Sequence, residues 1–191
     1  GGNTLMLEIL SANRSELEVG DGDFAASMEA TRATLRRSAD LAIEQASFDP
    51  STKQLLVRVR VTNNSGHKLP TSYPSRRVYI HLTVSDPAGR TLFESGRLKP
   101  ATGVVAGVEA DTSTGFEPHY SGEITRAGQV QVYEAIMGDS DGNLTYTLLR
   151  AADYLKDNRI PPRGFNDQVV PDTVAVVGVV DDPDFGAGSD L

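Results

Sequence analysis

The chain has three histidines, His67, His81 and His119, and no cysteine. Disulfides, thiolate nucleophiles, Cys-ligated zinc, iron–sulfur clusters and covalent haem attachment through C-x-x-C-H are therefore excluded within it. Metal or redox chemistry must use histidine, carboxylates or a neighbouring chain. The densest unusual segment is Asn63-Asn64-Ser65-Gly66-His67-Lys68-Leu69-Pro70-Thr71, continuing through Tyr73-Pro74 to Arg76-Arg77. Gly66 permits a tight backbone, while Pro70 and Pro74 stiffen the rest of the loop, so His67 can be held in one orientation, as a metal ligand or proton carrier requires. The same residues also fit a rigid inter-sheet corner, with His67 and Tyr73 bonded to backbone carbonyls and Arg76 and Arg77 paired with carboxylates. His81 falls in the polar phase of a strand pattern and reads as a surface or cross-strand residue.

A second oxygen-rich segment is Gly138-Asp139-Ser140-Asp141-Gly142-Asn143. Asp139, Asp141 and Asn143 stand at alternate positions, as at the start of a calcium loop. Glu is missing from the bidentate position expected near Arg150, so the spacing favours a hairpin turn, with Ca²⁺ as the alternative. The acidic run Asp181-Asp182-Pro183-Asp184 is either a further source of oxygen ligands or a solvated stretch. No G-x-S-x-G elbow, H-E-x-x-H pair, phosphate-cradling loop or dinucleotide fingerprint occurs, which argues against the common enzyme classes.

These residues must be positioned by a core of Val, Leu, Ile and Ala, because the 191 residues include no Trp and only 6% aromatics. Helical spacing of Leu5, Met6, Ile9, Leu10 and Leu17 predicts an amphipathic helix within Thr4–Leu17. Asp23 is the N-cap expected for a second helix from Phe24 to about Leu41, on which Arg32, Arg36 and Arg37 form a cationic patch. From Ile43 the period becomes two. Strands are expected at Leu55–Thr62, along Val78–Ser85, at Thr91–Glu94 after an Asp86–Gly89 turn, and at Gln129–Met137. The spacing of Leu148, Leu149, Ala152 and Leu155 predicts a helix over Thr147–Asp157, stopped by Pro161-Pro162. Thr173–Val180 reads as a strand buried on both faces, and Pro100–Gly128 as a long loop with short strands. The expected fold is mostly β, an antiparallel β-sandwich (43–191) with an N-terminal helical arm (1–42) and one inserted helix.

The run from Val61-Thr62 through the His67 segment to Thr71 and on through Tyr73-Pro74-Ser75-Arg76-Arg77, with Phe116-Glu117-Pro118-His119-Tyr120, Gln129-Val130-Gln131-Val132-Tyr133-Glu134 and Tyr154-Leu155-Lys156-Asp157-Asn158-Arg159, resembles the C-terminal region of bacterial multihaem c-type cytochromes. The likeness runs over nearly the whole chain, including the Gly-Gly-Asn-Thr start and Asn13-Arg14-Ser15-Glu16-Leu17. The resemblance implies a periplasmic or extracellular electron-transfer protein whose haem c groups are bound by an upstream or partner segment. This chain would be its haem-free β-rich domain, and any targeting peptide would lie upstream or have been removed. It also implies that His67 and His119 are candidate distal axial ligands to such a haem. The expected partner is a haem-bearing segment or subunit, with a homo-oligomer open. A charge of −8 argues against nucleic acid, and no apolar run is long enough to span a bilayer. The competing reading is an extracellular β-sandwich binding module for carbohydrate or a protein partner, which an exposed platform of Tyr and Phe would favour.

Overall fold

The computed structural model describes residues 3–71, 73–74, 76–108, 110, 114–186 and 188–191. Gly1 and Gly2, at the start of the chain, lie outside the described residues. The chain forms two compact units, Gly1–Ser65 and Gly66–Leu191.

Unit 1 is a helical hairpin followed by a β-hairpin. Helix α1 (Thr4–Ala12) is capped by the Asn3 side chain, which accepts from the Met6 N–H at 3.2 Å, and α2 (Phe24–Arg37) by Asp23, which accepts from Ala26 N–H at 2.8 Å. These caps take up N–H groups that have no partner within the helix. Arg36 and Arg37 close the last turn of α2, where the helix dipole favours cations. Arg32 pairs with Glu8 on α1 at 2.9 Å and Arg36 with Glu29 at 3.0 Å, so two of the three patch arginines are partnered. The second helix stops sooner than its periodicity predicts, because Ala39–Asp49 is taken into strand β1 by antiparallel pairing with β2 (Gln54–Asn63). The expected boundary after residue 42 therefore falls inside β1. Neither helix buries much. Leu5 on α1 is 62% exposed and Leu35 on α2 is 63% exposed, while α1 contains no buried residue.

The regular structure of unit 2 is short strands, and those from Arg77 to Asp157 pair antiparallel. Its centre is β8 (Val132–Gly138), which pairs with β3 (Arg77–Tyr79) on one side and β10 (Asp153–Asp157) on the other, with β9 (Leu144–Thr145) folding back on it. Hairpins β4–β5 (Leu82–Ser85, Thr91–Ser95) and β6–β7 (Leu98–Lys99, Val104–Val105) follow β3 in the chain. The predicted run Val78–Ser85 is thus broken at Ile80 and His81. Gly96, at φ +75°, lies so close to Ile80 that a Cβ there would strike its carbonyl. Val105, Val108, Val130 and Val132 form an apolar core with Tyr79 against them.

Two further segments depart from the expected elements. Thr147–Asp157 holds no α-helix, only a 3₁₀ turn at Leu148–Arg150 and then β10. Pairing with β8 overrides the helical spacing, and Leu149 is left 98% exposed. Thr173–Val180 is not a doubly buried strand either. It has a 3₁₀ turn at Asp172–Val174, one bridge from Val177 to Asp157, and Gly178 at φ +77°. A last short strand, β11 (Ser189–Asp190), carries Asp190.

Candidate functional site

The register of β10 on β8 determines which side chains meet. Asp153 and Tyr154 oppose Gly138 and Met137, then the register shifts, and Lys156 and Asp157 oppose Ile136 and Ala135. Opposed residues share a face and alternate residues repeat it. The bulge at Leu155 therefore places Lys156 on the face of Glu134 and Ile136, and returns Asp157 to the face of Tyr154. Strict alternation would have put Tyr154 and Lys156 together.

On the first face Lys156 is 1% exposed and Glu134 3%. Their ion pair is 3.0 Å long, and the ammonium also donates to the carbonyls of Glu117 (2.8 Å) and Val132 (3.1 Å). Three donors thus meet three acceptors, the condition under which a buried charge is tolerated.

Next to this pair lies His119, whose side chain is fully buried. Its Nδ1 receives the amide nitrogens of Gln131 at 3.1 Å and Asn158 at 3.0 Å. Both amides are oriented by the backbone: the Gln131 oxygen accepts from Tyr120 N–H, and the Asn158 oxygen accepts from Glu134 N–H while its nitrogen donates to Val132 O. With two N–H₂ groups pointing at it, Nδ1 is an acceptor, so the ring proton sits on Nε2 and is donated to Asp182 at 2.7 Å. Phe185 closes the ring edge-on at 5.1 Å. Asp190 accepts from Tyr133 OH at 2.7 Å and Gln131 at 3.1 Å. Burial and the charge of Asp182 push the Asp190 carboxyl above its usual range, although Tyr133 and Gln131 pull the other way. Burial and then the Asp190 charge raise the Tyr133 hydroxyl well above its usual value.

His119 Nε2 and carboxylate oxygens of Asp182 and Asp190 lie within 4.8 Å of one another, close enough for a metal. The hydrogen-bond pattern does not fit one. A cation on Nε2 displaces the ring proton to Nδ1, where both fixed amides already point their hydrogens. Iron on Nε2 of His119 meets the same obstacle, and iron on Nδ1 has to take the place of both amide hydrogens.

On the other face the His67 segment is stitched to Ile160 by reciprocal backbone bonds of 2.9 Å at Leu69, and the Leu69–Pro70 bond is cis. Lys68 donates to Asp157 at 2.7 Å and to Ala175 O at 3.0 Å. Arg159 grips the same carboxylate with Nε at 2.6 Å and Nη2 at 2.7 Å. Burial opposes the charge of Arg159, and the Asp157 bonds overcome it, holding the guanidinium above its usual value. His67 is exposed, and its Nδ1 lies 3.1 Å from Lys68 O, which makes Nδ1 the donor and puts the neutral ring's lone pair on Nε2. His67, Lys68 and Thr71 face Tyr154, Arg159 and Phe165 across an open cleft of about 310 Å³.

The remaining sequence candidates are simpler. Asp139 turns its carboxylate onto the N–H groups of Asp141 (3.0 Å) and Asn143 (2.8 Å), closing the β8–β9 hairpin with Gly142 at φ +79°. His81 bonds across the strand pair to Glu94 at 3.0 Å. Asp182, in a run that reads as solvated or calcium-binding, is turned inward with 5% of its side chain exposed. Gln131, Glu134, Lys156, Asp157 and Asn158 belong to the segments that carry the resemblance, yet sequence reasoning does not mark them as site residues. The one signal for them is a charged Glu134 in a strand otherwise apolar at Val132, Ala135 and Ile136. No family model, curated protein or solved structure matches the chain.

Proposed function

We propose that this chain is the haem-free β-rich domain of a multihaem c-type cytochrome, exported to the periplasm or cell exterior, which packs against a haem-bearing segment or subunit. One observation carries the reading: the four separate segments on which the resemblance rests, the first of them from Gly66 onward, fold onto one another in unit 2. Glu117, His119, Gln131, Glu134, Lys156 and Asn158 interlock in one buried network, and Lys68 joins it through Asp157 and the Leu69–Ile160 bridge. Resemblance confined to residues that never met would carry no such weight. The exposed apolar residues of unit 1, Leu5, Leu35, Leu41, Ile43 and Phe48 among them, also support packing on a partner.

When bound in the partner, haem supplies a one-electron couple. The residues of this chain would hold a rigid rim beside it. His67, kept in place by Lys68 O and the Leu69–Ile160 stitch, would be the imidazole offered to that haem, and the buried network fixes the backbone behind it. The test is His67→Ala in the native assembly, read by optical and EPR spectra. Conversion of one haem from low spin to high spin supports ligation. Unchanged spectra with the chain still associated refute the axial role of His67.

A further inference from the structure

The cleft of unit 2 contains a guanidinium that is anchored without being used up. Arg159 commits Nε and Nη2 to Asp157, with a long second Nη2 contact of 3.5 Å to Tyr154 OH. Its Nη1 meets no acceptor among the described residues, although the side chain is only 14% exposed. Lys68 sits on the same carboxylate with a side chain 12% exposed, so two cations share one fully buried anion and leave one positive charge in excess. A merely structural Arg–Asp pair needs neither the second cation nor an open N–H edge. Two rings flank the charges: Phe165 with its centroid 5.6 Å from the Lys68 ammonium, and Tyr154 5.7 Å from the Arg159 guanidinium. Thr71 adds a hydroxyl to the same wall, and the cleft's volume of about 310 Å³ matches the small end of ligand sites.

We infer that this cleft binds a carboxylate carried on a flat apolar body. The carboxylate meets the planar Nη1 edge of Arg159 with Lys68 alongside, the geometry in which guanidinium outperforms a point charge. The flat body packs against Phe165 and Tyr154. A single excess charge balances a monocarboxylate better than a phosphate dianion. Two sources share this chemistry: a propionate on the edge of a haem held by another segment, and a free aromatic acid. The site stands even if no haem accompanies the native chain.

The test follows the side-chain Nε–Hε resonance of Arg159 and the Thr71 amide of the ¹⁵N-labelled full chain by NMR, on titration with sodium benzoate, a haem c undecapeptide or inorganic phosphate. Saturable shifts confined to the cleft are expected for the first two, weakened at least tenfold by Arg159→Lys, which retains the charge and loses the edge, and at least fivefold by Phe165→Ala. Haem peptide binding more than tenfold tighter than benzoate names a haem edge as the source, and binding no tighter than benzoate names a free acid. Phosphate binding as tightly as either, shifts scattered over the surface, or unchanged affinity in Arg159→Lys overturns the inference. If Arg159→Lys does not fold, Phe165→Ala and Thr71→Val decide it, since neither removes a charged partner of Asp157.

Discussion

Replacing Lys156 with Met removes one side of an ion pair in which both partners are at least 97% buried, and deprives the Glu117 and Val132 carbonyls of their shared donor. Breaking such a pair from one side costs about 3–5 kcal/mol, because the remaining charge stays in a poorly polarisable interior. Arg77, 3.9 Å from the other Glu134 oxygen and one-third exposed, offsets a small part. That loss is a large share of the roughly 5–15 kcal/mol by which domains are ordinarily stable. The double variant Lys156→Met with Glu134→Gln removes both charges and recovers most of it. The assay is urea unfolding followed by tyrosine fluorescence, which reports unit 2 alone, since all six tyrosines lie beyond residue 65. A loss under about 1 kcal/mol for the single variant, or no recovery in the double, refutes a buried and mutually dependent pair.

Three further outcomes rest on the same geometry. Long-range ¹H–¹⁵N NMR should find His119 protonated at Nε2 and not at Nδ1; the reverse tautomer would contradict the amide assignments around it. Because the folded-state value of Asp190 is raised above 3.8, its contribution is complete at acid pH and lost as pH rises through the folded value, so Asp190→Asn should stabilise the protein at neutral pH and lose that advantage as pH falls toward 3.8. Equal stability of the two proteins across this range by chemical denaturation would exclude a penalty for burying that charge. Asp139→Ala should cost about 1 kcal/mol by removing an acceptor for two turn N–H groups, whereas Asp139→Asn, whose amide oxygen can accept both, should cost far less; equal thermal shifts for the two would show that the bonds do not matter.

Strand periodicity makes β2, β5 and β8 legible, and the capping rule finds Asp23, because each of these signals is local. The helix expected over Thr147–Asp157 fails for a non-local reason. Its apolar residues satisfy helical spacing, yet β8 needs a partner, and the polar residues Lys156 and Asp157 are what complete its two faces. The bulge that separates those two side chains has no Gly or other marker at Leu155. Asp182 is hidden in a similar way: in sequence it is one of three acids in a run of four, and only the fold turns it onto His119. His67 and His119 both stand out as candidates in the sequence, but their difference lies wholly in their surroundings, one exposed at a cleft and one fully enclosed.

The central claim is tested most directly by isolating this chain from its native source under mild conditions and measuring the Soret absorbance and the mass of every polypeptide that accompanies it. The account predicts covalently bound haem on the same polypeptide upstream of Gly1, or on a co-purifying partner, in fixed stoichiometry with the chain. A colourless native protein with no haem-bearing companion would contradict it.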